Sequence, residues 1–191
     1  GLFGDHRYGQ PVIGTLSSLD EISLDDVRSF YRSWFTSRGA IVALLGDFDA
    51  GAGSDLARLS GNLIGTPEPV VPELAPPVPN GRKVWLIDKP ERSQVQVFLG
   101  HFFLRPDDPD YPKAWLGNEA FAGWGFGARL MQEVREKRGW SYGAYAFPVH
   151  LKDLSTYTLW VFPASKDAIP CLQLVDSLYK DFVAEGLSEA E

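Results

Sequence analysis

The chain has 191 residues, of which 45% are hydrophobic, 13% aromatic and 23% charged, a composition that argues for a folded globular protein and against a disordered one. Its 18 Lys and Arg residues against 25 Asp and Glu residues give a net charge of −7, so it lacks the excess of basic residues with which proteins bind nucleic acids. No run of about 18 apolar residues occurs, and we therefore expect no membrane-spanning helix in this sequence.

The first third of the sequence predicts a turn-rich start, a helix, a strand and a second helix. Ser23 has the N-cap position of a helix whose apolar residues recur at helical spacing, and Gly39 is placed to end that helix. Ala40–Leu45 is a continuous apolar run, which is typical of a buried strand. A short second helix is predicted over Ser54–Ile64.

A proline-rich segment follows. Six of the thirteen residues from 67 to 79 are proline, and no helical or strand periodicity runs through them. Because proline fixes φ and removes a backbone donor, this composition predicts an extended linker. The sequence therefore predicts two domains: residues 1–66 are the end of one, residues 67–81 the linker, and residues 82–191 most of the other.

The second part of the sequence predicts an α+β domain, a layered antiparallel sheet with helices on one face. The predicted strands are Lys83–Ile87, Gln94–Gly100, Tyr142–Val149 and Leu154–Phe162, and the predicted helices are Tyr111–Phe121, Gly127–Lys137 and a last one from a Ser165 cap to about Ala184. Gly186 is placed to close the last helix.

Both ends of the sequence are unusual for a complete protein. The first residue is Gly1 rather than Met. Near the other end, Ser188 and Glu191 have the spacing of a capping box, a motif that precedes a helix. We therefore expect the chain to be part of a longer protein.

The three histidines, His6, His101 and His150, are the first candidates for metal ligands. None has a second His or a Glu three or four residues away, the spacing that puts two ligands on one face of a helix. The single cysteine, Cys171, falls among apolar residues of the last helix, where a buried core position is expected. The sequence therefore predicts no metal and no cofactor site in this chain.

The helix predicted over Gly127–Lys137 carries a candidate functional arginine. Phe126, Leu130 and Val134 recur at helical spacing and predict its buried stripe, and Arg135 falls on the flank of that stripe. The three alternating glycines before the helix do not have the spacing of a phosphate-binding loop, which favours a tight helix-entry loop.

Tyr142 is the second candidate. It is predicted to begin the next strand, with Ala144 and Ala146 as its neighbours on the same face, an arrangement that leaves open space in front of the ring. An Arg and a Tyr at the mouth of such a space can donate hydrogen bonds to a carbonyl oxygen that becomes an oxyanion. The residues alone leave another interpretation open, in which Arg135 is a surface residue and Tyr142 only packs in the sheet.

Several blocks of the sequence resemble the pitrilysin/insulinase family of zinc metallopeptidases, in particular its bacterial branch related to mitochondrial processing peptidase. The most specific block is ARLMQEVREKRGWSY, residues 128–142. The blocks at 6–14, 41–48 and 94–100 have the matching order and spacing, so the resemblance covers nearly the whole chain. It implies a processing-peptidase-like, metallohydrolase-like fold, with residues 1–66 as the tail of a first peptidase domain and 82–191 as most of a second, truncated at its end.

The resemblance also implies roles for the two candidate residues. In the family, an Arg and a Tyr seven positions apart reach over the substrate from the lobe opposite the zinc, and Arg135 and Tyr142 have this spacing. Tyr142 would donate to the oxyanion, and Arg135 would hold the substrate main chain or orient Tyr142. Trp124 is a departure, because the family often has another Gly there, so the resemblance does not establish how a substrate passes this loop.

By resemblance, the chain is the non-zinc-binding part of a two-lobed zinc-dependent endopeptidase and should be inactive alone. The family's inverted His-x-x-Glu-His zinc motif would lie in an upstream domain or in a partner subunit. The partners would be a peptide substrate and the zinc-bearing half, and the full assembly would be a dimer. The bacterial periplasm is expected rather than the cytoplasm. Two alternatives stay open: a non-catalytic scaffold or assembly subunit of the same fold, and a stand-alone peptide-binding module.

Overall fold

The computed structural model describes residues 1–36, 40–49, 51–61, 77, 81–189 and 191. The chain divides into two compact units, one of residues 5–75 and one of residues 76–191 together with residues 1–4. The predicted end of the first helix at Gly39 and most of the predicted linker lie outside the described residues, so the domain boundaries stay a prediction.

The α-helices among the described residues of the smaller unit are α1 (Leu16–Asp20), α2 (Leu24–Trp34) and α3 (Ala52–Ser60). The predicted cap of α2 is confirmed, since the Asp26 N–H donates to Ser23 Oγ at 3.2 Å and the Ser23 N–H donates to Asp26 Oδ2 at 2.9 Å. This reciprocal pair is a capping box, which satisfies two backbone donors at the start of the helix.

The larger unit is built on a three-stranded antiparallel sheet of β1 (Val97–Phe103), β2 (Ala144–His150) and β3 (Ser155–Val161). The strands lie in the order β1-β3-β2, with β2 and β3 joined as a hairpin. The predicted turn between them is confirmed, and it is closed by the Leu151 N–H, which donates to Leu154 O at 2.9 Å.

Helices cover one face of this sheet, as the sequence predicted. They are α4 (Tyr111–Ala122), α5 (Arg129–Met131, which continues into a π-helical turn at Gln132–Glu136) and α6 (Ala168–Glu185). Their fully buried side chains pack against inward-facing residues of β2 and β3, and this core contains Phe121, Leu130, Val134, Ala144, Ala146, Leu159, Val161, Cys171 and Val175. The layered α+β class is therefore confirmed.

One buried amide connects α4 to the sheet. Asn118 Nδ2 donates to the Ala146 carbonyl of β2 at 3.0 Å, and the Tyr157 hydroxyl of β3 donates to Asn118 Oδ1 at 2.7 Å. Burial raises the pKa of Tyr157 far above its ordinary value, so this hydroxyl stays a donor throughout the physiological range. Both contacts satisfy polar groups that have no access to water.

Two predicted strands are wrong. Ala40–Leu45 and Lys83–Ile87 are not strands, and Ile41 and Leu86 are among their exposed side chains. A strand is stabilised by hydrogen bonds to a neighbour, and neither segment pairs with another within the described part of the chain. Apolar runs alone therefore did not determine strand formation.

The last helix is confirmed, with a different start. Ser165 lies in a 3-10 turn and its hydroxyl donates to Ser93 O at 3.3 Å, so it does not cap α6, which begins at Ala168. Gly186 ends the helix as predicted, with φ +77°, a conformation that favours glycine. Among the described residues, no helix is long and apolar enough to cross a membrane.

The Asn118 contacts lead to the first prediction. Asn118→Ala should lower the free energy of unfolding by about 2–4 kcal/mol, because it leaves the Ala146 carbonyl and the Tyr157 hydroxyl buried without partners. Leu116→Ala is the matched control, since the same helix exposes 70% of Leu116 and the change should stay within about 0.5 kcal/mol. Urea unfolding monitored by circular dichroism measures both, and equal losses would contradict the importance of the buried amide.

Candidate functional site

The candidate site is built on the loop and helix that follow α4. Helical structure runs from Arg129 to Glu136, close to the predicted span, but its second half is a π-helical turn in which the Lys137 N–H donates to Gln132 O at 3.0 Å. A π turn contains one more residue per hydrogen-bonded ring than an α-helix and often occurs at functional sites. Gly139, with φ +63°, ends this segment.

The buried stripe of α5 differs from the prediction at its first residue. Leu130 and Val134 are fully buried as predicted, whereas Phe126 is 61% exposed. Phe126 precedes the helix, in the glycine-rich loop, so the helical spacing does not apply to it. Its backbone is held by Gln132, whose Nε2 donates to Phe126 O at 2.6 Å.

Arg135 lies between two aromatic rings. Its Cζ atom is 4.8 Å from the ring centroid of Phe126 and 4.6 Å from that of Tyr142. Cation–π contacts of this kind hold a guanidinium group in place without using its N–H donors. The side chain is 27% exposed, and Nε is 3.5 Å from Glu136 Oε1. The structure therefore brings the two predicted site residues into direct contact.

Tyr142 lies outside the strand that it was predicted to begin. β2 begins at Ala144, and Tyr142 is 72% exposed. Ala144 and Ala146 are buried in the core, so the open space expected beside them is absent and that part of the prediction is wrong. The exposed ring of Tyr142 instead packs against Arg135.

Ser141 fixes the backbone on both sides of Tyr142, a role that the sequence analysis missed. Its buried hydroxyl donates to Gly143 O at 2.6 Å and accepts a hydrogen bond from the Phe162 N–H at 2.9 Å. A Cβ atom on Gly143 would clash with the far end of the Tyr145 ring, so a side chain here would have to displace that ring. A lone Ser between Trp and Tyr has no sequence signature that indicates such a role.

The two cations that follow Arg135 are engaged in structural contacts. Lys137 and Arg138 both pair with the Glu133 carboxylate, and Arg138 Nη1 also donates to Glu133 O at 2.8 Å. Hydrogen bonds from Lys137 and then from Arg138 hold the pKa of Glu133 below its ordinary value. These contacts stabilise the end of the π turn that carries Arg135.

The three histidines make separate hydrogen bonds. His6 Nδ1 accepts from the Tyr8 N–H at 3.2 Å, His101 Nε2 is 2.6 Å from the Tyr179 hydroxyl, and His150 Nε2 is 2.8 Å from the Tyr111 hydroxyl. Within the part of the chain that the structure describes, no group of three His, Cys, Asp or Glu side chains is placed to hold a metal ion. The described residues therefore do not fit a zinc site.

Solved structures define the class of protein to which this fold belongs. A crystal structure of a peptidase M16 inactive domain from Pseudomonas fluorescens is 27% identical and matches 99% of this chain and 45% of that chain, with a TM-score of 0.84. A protease from Helicobacter pylori has the same fold, with a TM-score of 0.75 and 18% identity over 93% of this chain and 44% of its own. The fold is that of a peptidase-related α+β domain.

The profile of the family described as the peptidase M16 inactive domain matches residues 21–191, and the chain belongs to this family. The resemblance to the zinc peptidases of the pitrilysin/insulinase family is thereby confirmed. The chain therefore belongs with the inactive, C-terminal-type domains of that zinc protease family.

Curated relatives extend beyond this chain. An uncharacterized zinc protease of Streptomyces coelicolor is 30% identical over 198 residues, which cover all of this chain and 42% of the relative. An uncharacterized zinc protease of Mycobacterium leprae is 26% identical over all of this chain and 43% of its own length, and a non-peptidase homolog of Helicobacter pylori is 24% identical over all of this chain and 44% of its own. The chain thus spans less than half of the length of these relatives.

The Glu133 contacts generate a pH prediction. The folded state lowers the pKa of Glu133 from 4.5, so its pairing stabilises the fold above about pH 4.5 and this contribution is lost as the pH falls. Glu133→Gln should lower the free energy of unfolding by about 1 kcal/mol at pH 7 and by much less below pH 3. Denaturant unfolding at the two pH values measures the difference, with the exposed Glu189→Gln as the control. A pH-independent loss would contradict the pairing.

Proposed function

We propose that this chain is the substrate-binding half of a two-lobed zinc-dependent endopeptidase, and that Arg135 and Tyr142 act on the peptide held between the halves. The observation that carries the proposal is the direct contact of the two side chains, 4.6 Å from Cζ to ring centroid, on a surface where Tyr142 is 72% exposed. A pair that serves a substrate must be both ordered and accessible, and this pair is both.

Tyr142 is suited to stabilise the charge that develops on the scissile carbonyl oxygen. When a nucleophile attacks a peptide carbonyl, its oxygen becomes an oxyanion, and a placed O–H donor lowers the barrier. A donor that contacts the oxygen mainly in the transition state raises kcat rather than substrate affinity. The cation of Arg135 against the ring adds positive charge on the same side.

Arg135 is suited to hold the substrate main chain and to keep Tyr142 in place. Its guanidinium group is held against the rings of Phe126 and Tyr142 by contacts that do not use its N–H donors. A planar guanidinium group can donate two parallel hydrogen bonds to carbonyl or carboxylate oxygens. A guanidinium group held in this way can offer such hydrogen bonds to a peptide main chain.

The zinc would be held by a domain or a partner subunit that carries the family's ligands, since the described residues of this chain do not fit the metal. When bound there, zinc supplies the activated water for hydrolysis. This chain would help to bind and orient the substrate and to stabilise the charge that develops on its carbonyl oxygen. The complete assembly would be a dimer in which this half pairs with the zinc-bearing half.

A scaffold function is the second candidate. The observation that favours it is the Helicobacter pylori relative, which covers all of this chain and is named a non-peptidase homolog. In a scaffold the Arg135–Tyr142 contact would only stabilise the loop after the π turn. Turnover by the complete protein separates the two functions.

Tyr142→Phe tests the oxyanion role. In the complete, zinc-loaded protein this substitution removes one exposed hydroxyl and keeps the ring against Arg135, so folding should be nearly unchanged. We expect kcat to fall by about 10²–10³-fold with a smaller change in KM. Tyr111→Phe is the matched control, because the Tyr111 hydroxyl bonds to His150 on another part of the domain and its loss should leave kcat unchanged. Full kcat in Tyr142→Phe would rule out this role.

Arg135→Lys tests the guanidinium group. Lysine keeps the charge and loses the planar fork, so both KM and kcat should worsen, by about tenfold or more in kcat/KM. Arg138→Lys is the control three residues away: Arg138 holds Glu133, so its replacement should lower the melting temperature and leave kcat/KM unchanged. Peptide-cleavage kinetics and thermal unfolding of the two variants measure these effects. Equal losses of activity in both would contradict a special role for Arg135.

A further inference from the structure

The glycine-rich loop before α5 gives Phe126 little conformational support of its own. Phe126 is flanked by Gly125 and Gly127, and glycine has more backbone freedom than any other residue. Its ring is 61% exposed, yet it is one of the two rings that hold Arg135, with its centroid 4.8 Å from Cζ. The position of Phe126 therefore depends on contacts beyond its two neighbours in the chain.

Gln132 supplies such a contact from the helix. Its Nε2 donates to Phe126 O at 2.6 Å, and the residue is half-buried. The backbone N–H of Gln132 donates to Ala128 O at 3.0 Å, so the residue that reaches the loop is itself fixed in helical structure. A short hydrogen bond from a fixed residue thus holds the backbone of Phe126 in one place.

The backbone of Gln132 also closes the π-helical turn. Its carbonyl accepts the Lys137 N–H at 3.0 Å, and Arg135 lies between these two residues. The extra residue in a π turn changes the direction in which the following side chains leave the helix, and Arg135 is one of them. Gln132 therefore contacts both structures that place the guanidinium group, which are the turn that carries Arg135 and the loop whose ring lies against it.

An amide is the side chain that suits this position. Gln132 and Arg135 are three residues apart in the same turn, so a charge at position 132 would act on the guanidinium group. A lysine there would repel Arg135, and a glutamate would compete with a substrate for its N–H donors. The Gln amide donates to the loop carbonyl without adding charge, and it leaves the charge of Arg135 for the substrate.

We infer that Gln132 is a positioning residue for the Arg135–Tyr142 pair. It holds the Phe126 backbone, the Phe126 ring lies against Arg135, and Arg135 lies 4.6 Å from the ring centroid of Tyr142. The inference rests on the proposed function and adds to it a residue that acts through another side chain rather than on the substrate. Removal of the amide donor should loosen Arg135 although Arg135 itself is unchanged.

Gln132→Met in the complete, zinc-loaded protein tests this role. Methionine has a similar length and helix propensity but lacks the N–H donor, so the melting temperature should stay within about 2 °C. We expect kcat/KM for peptide cleavage to fall by about fivefold to tenfold with a rise in KM, because Arg135 no longer holds the substrate main chain in one geometry. A partial loss of folded protein would instead lower kcat and leave KM unchanged. Gln173→Met is the matched control at an exposed position of α6, and it should keep kcat/KM within about twofold.

A double-mutant cycle determines whether Gln132 acts through Arg135. In the Arg135→Lys background the planar fork is already lost, so Gln132→Met should lower kcat/KM by less than about twofold there. The same fivefold to tenfold loss in both backgrounds would overturn the inference, because Gln132 would then serve activity by a route that does not include Arg135.

NMR measures the positioning without turnover and separates the inference from the proposed function. The Nε–H signal of Arg135, assigned by its absence in Arg135→Lys, should be shifted by the ring currents of Phe126 and Tyr142. Gln132→Met should move this signal towards those of exposed arginines, and Gln173→Met should leave it in place. An unmoved signal in Gln132→Met overturns the inference whatever the kinetics. If Arg135→Lys keeps full activity while Gln132→Met still moves the signal, the proposed function fails and the positioning stands.

Discussion

The larger unit of this chain depends on a single buried amide. Asn118 holds α4 to both strands of the hairpin through the Ala146 carbonyl and the Tyr157 hydroxyl. The end of α4 is thereby fixed over the sheet, and the glycine-rich loop that follows must start from that point. The loop places Phe126, and α5 places Arg135 against it. A polar contact in the core thus lies at the start of the series of elements that leads to a cation on the surface.

The surface around Arg135 and Tyr142 has two chemically distinct parts that share a border. Arg135 and Tyr142 offer charge and hydrogen-bond donors, whereas the sheet beside them carries stacked aromatic rings that offer apolar faces. The border between them is Gly143, whose missing side chain leaves room for the Tyr145 ring. Polar and apolar surfaces therefore meet at a position without a side chain.

The sequence predicted the elements that local rules determine, and it failed where distant partners decide. The hairpin, α4 and the end of α6 at Gly186 follow from periodicity and turn chemistry, and they were found at or near their predicted places. Ala40–Leu45 and Lys83–Ile87 have the composition of strands, but composition cannot supply the neighbour that a strand pairs with. Within the site, the separation of seven residues identified Arg135 and Tyr142 as similar to a known pair. The sequence did not predict the position of Phe126, because this residue lies in a loop, where helical periodicity does not apply. It did not predict the position of Tyr142 either, because β2 begins two residues later than the alternation of its side chains suggested.

The π-helical turn of α5 has a consequence for the length of the chain at this point. Side chains before the turn and after it follow two helical phases that differ by one residue. Deleting a single residue here would restore an ordinary α-helix and leave Leu130 in the core. The same deletion would rotate the position of Arg135 by about 100° around the helix axis and carry its guanidinium group off the Phe126 ring. The number of residues between Met131 and Gly139 is therefore as important to the site as their identities. A chimera that joins two relatives inside this turn must keep that number if Arg135 and Tyr142 are to stay in contact.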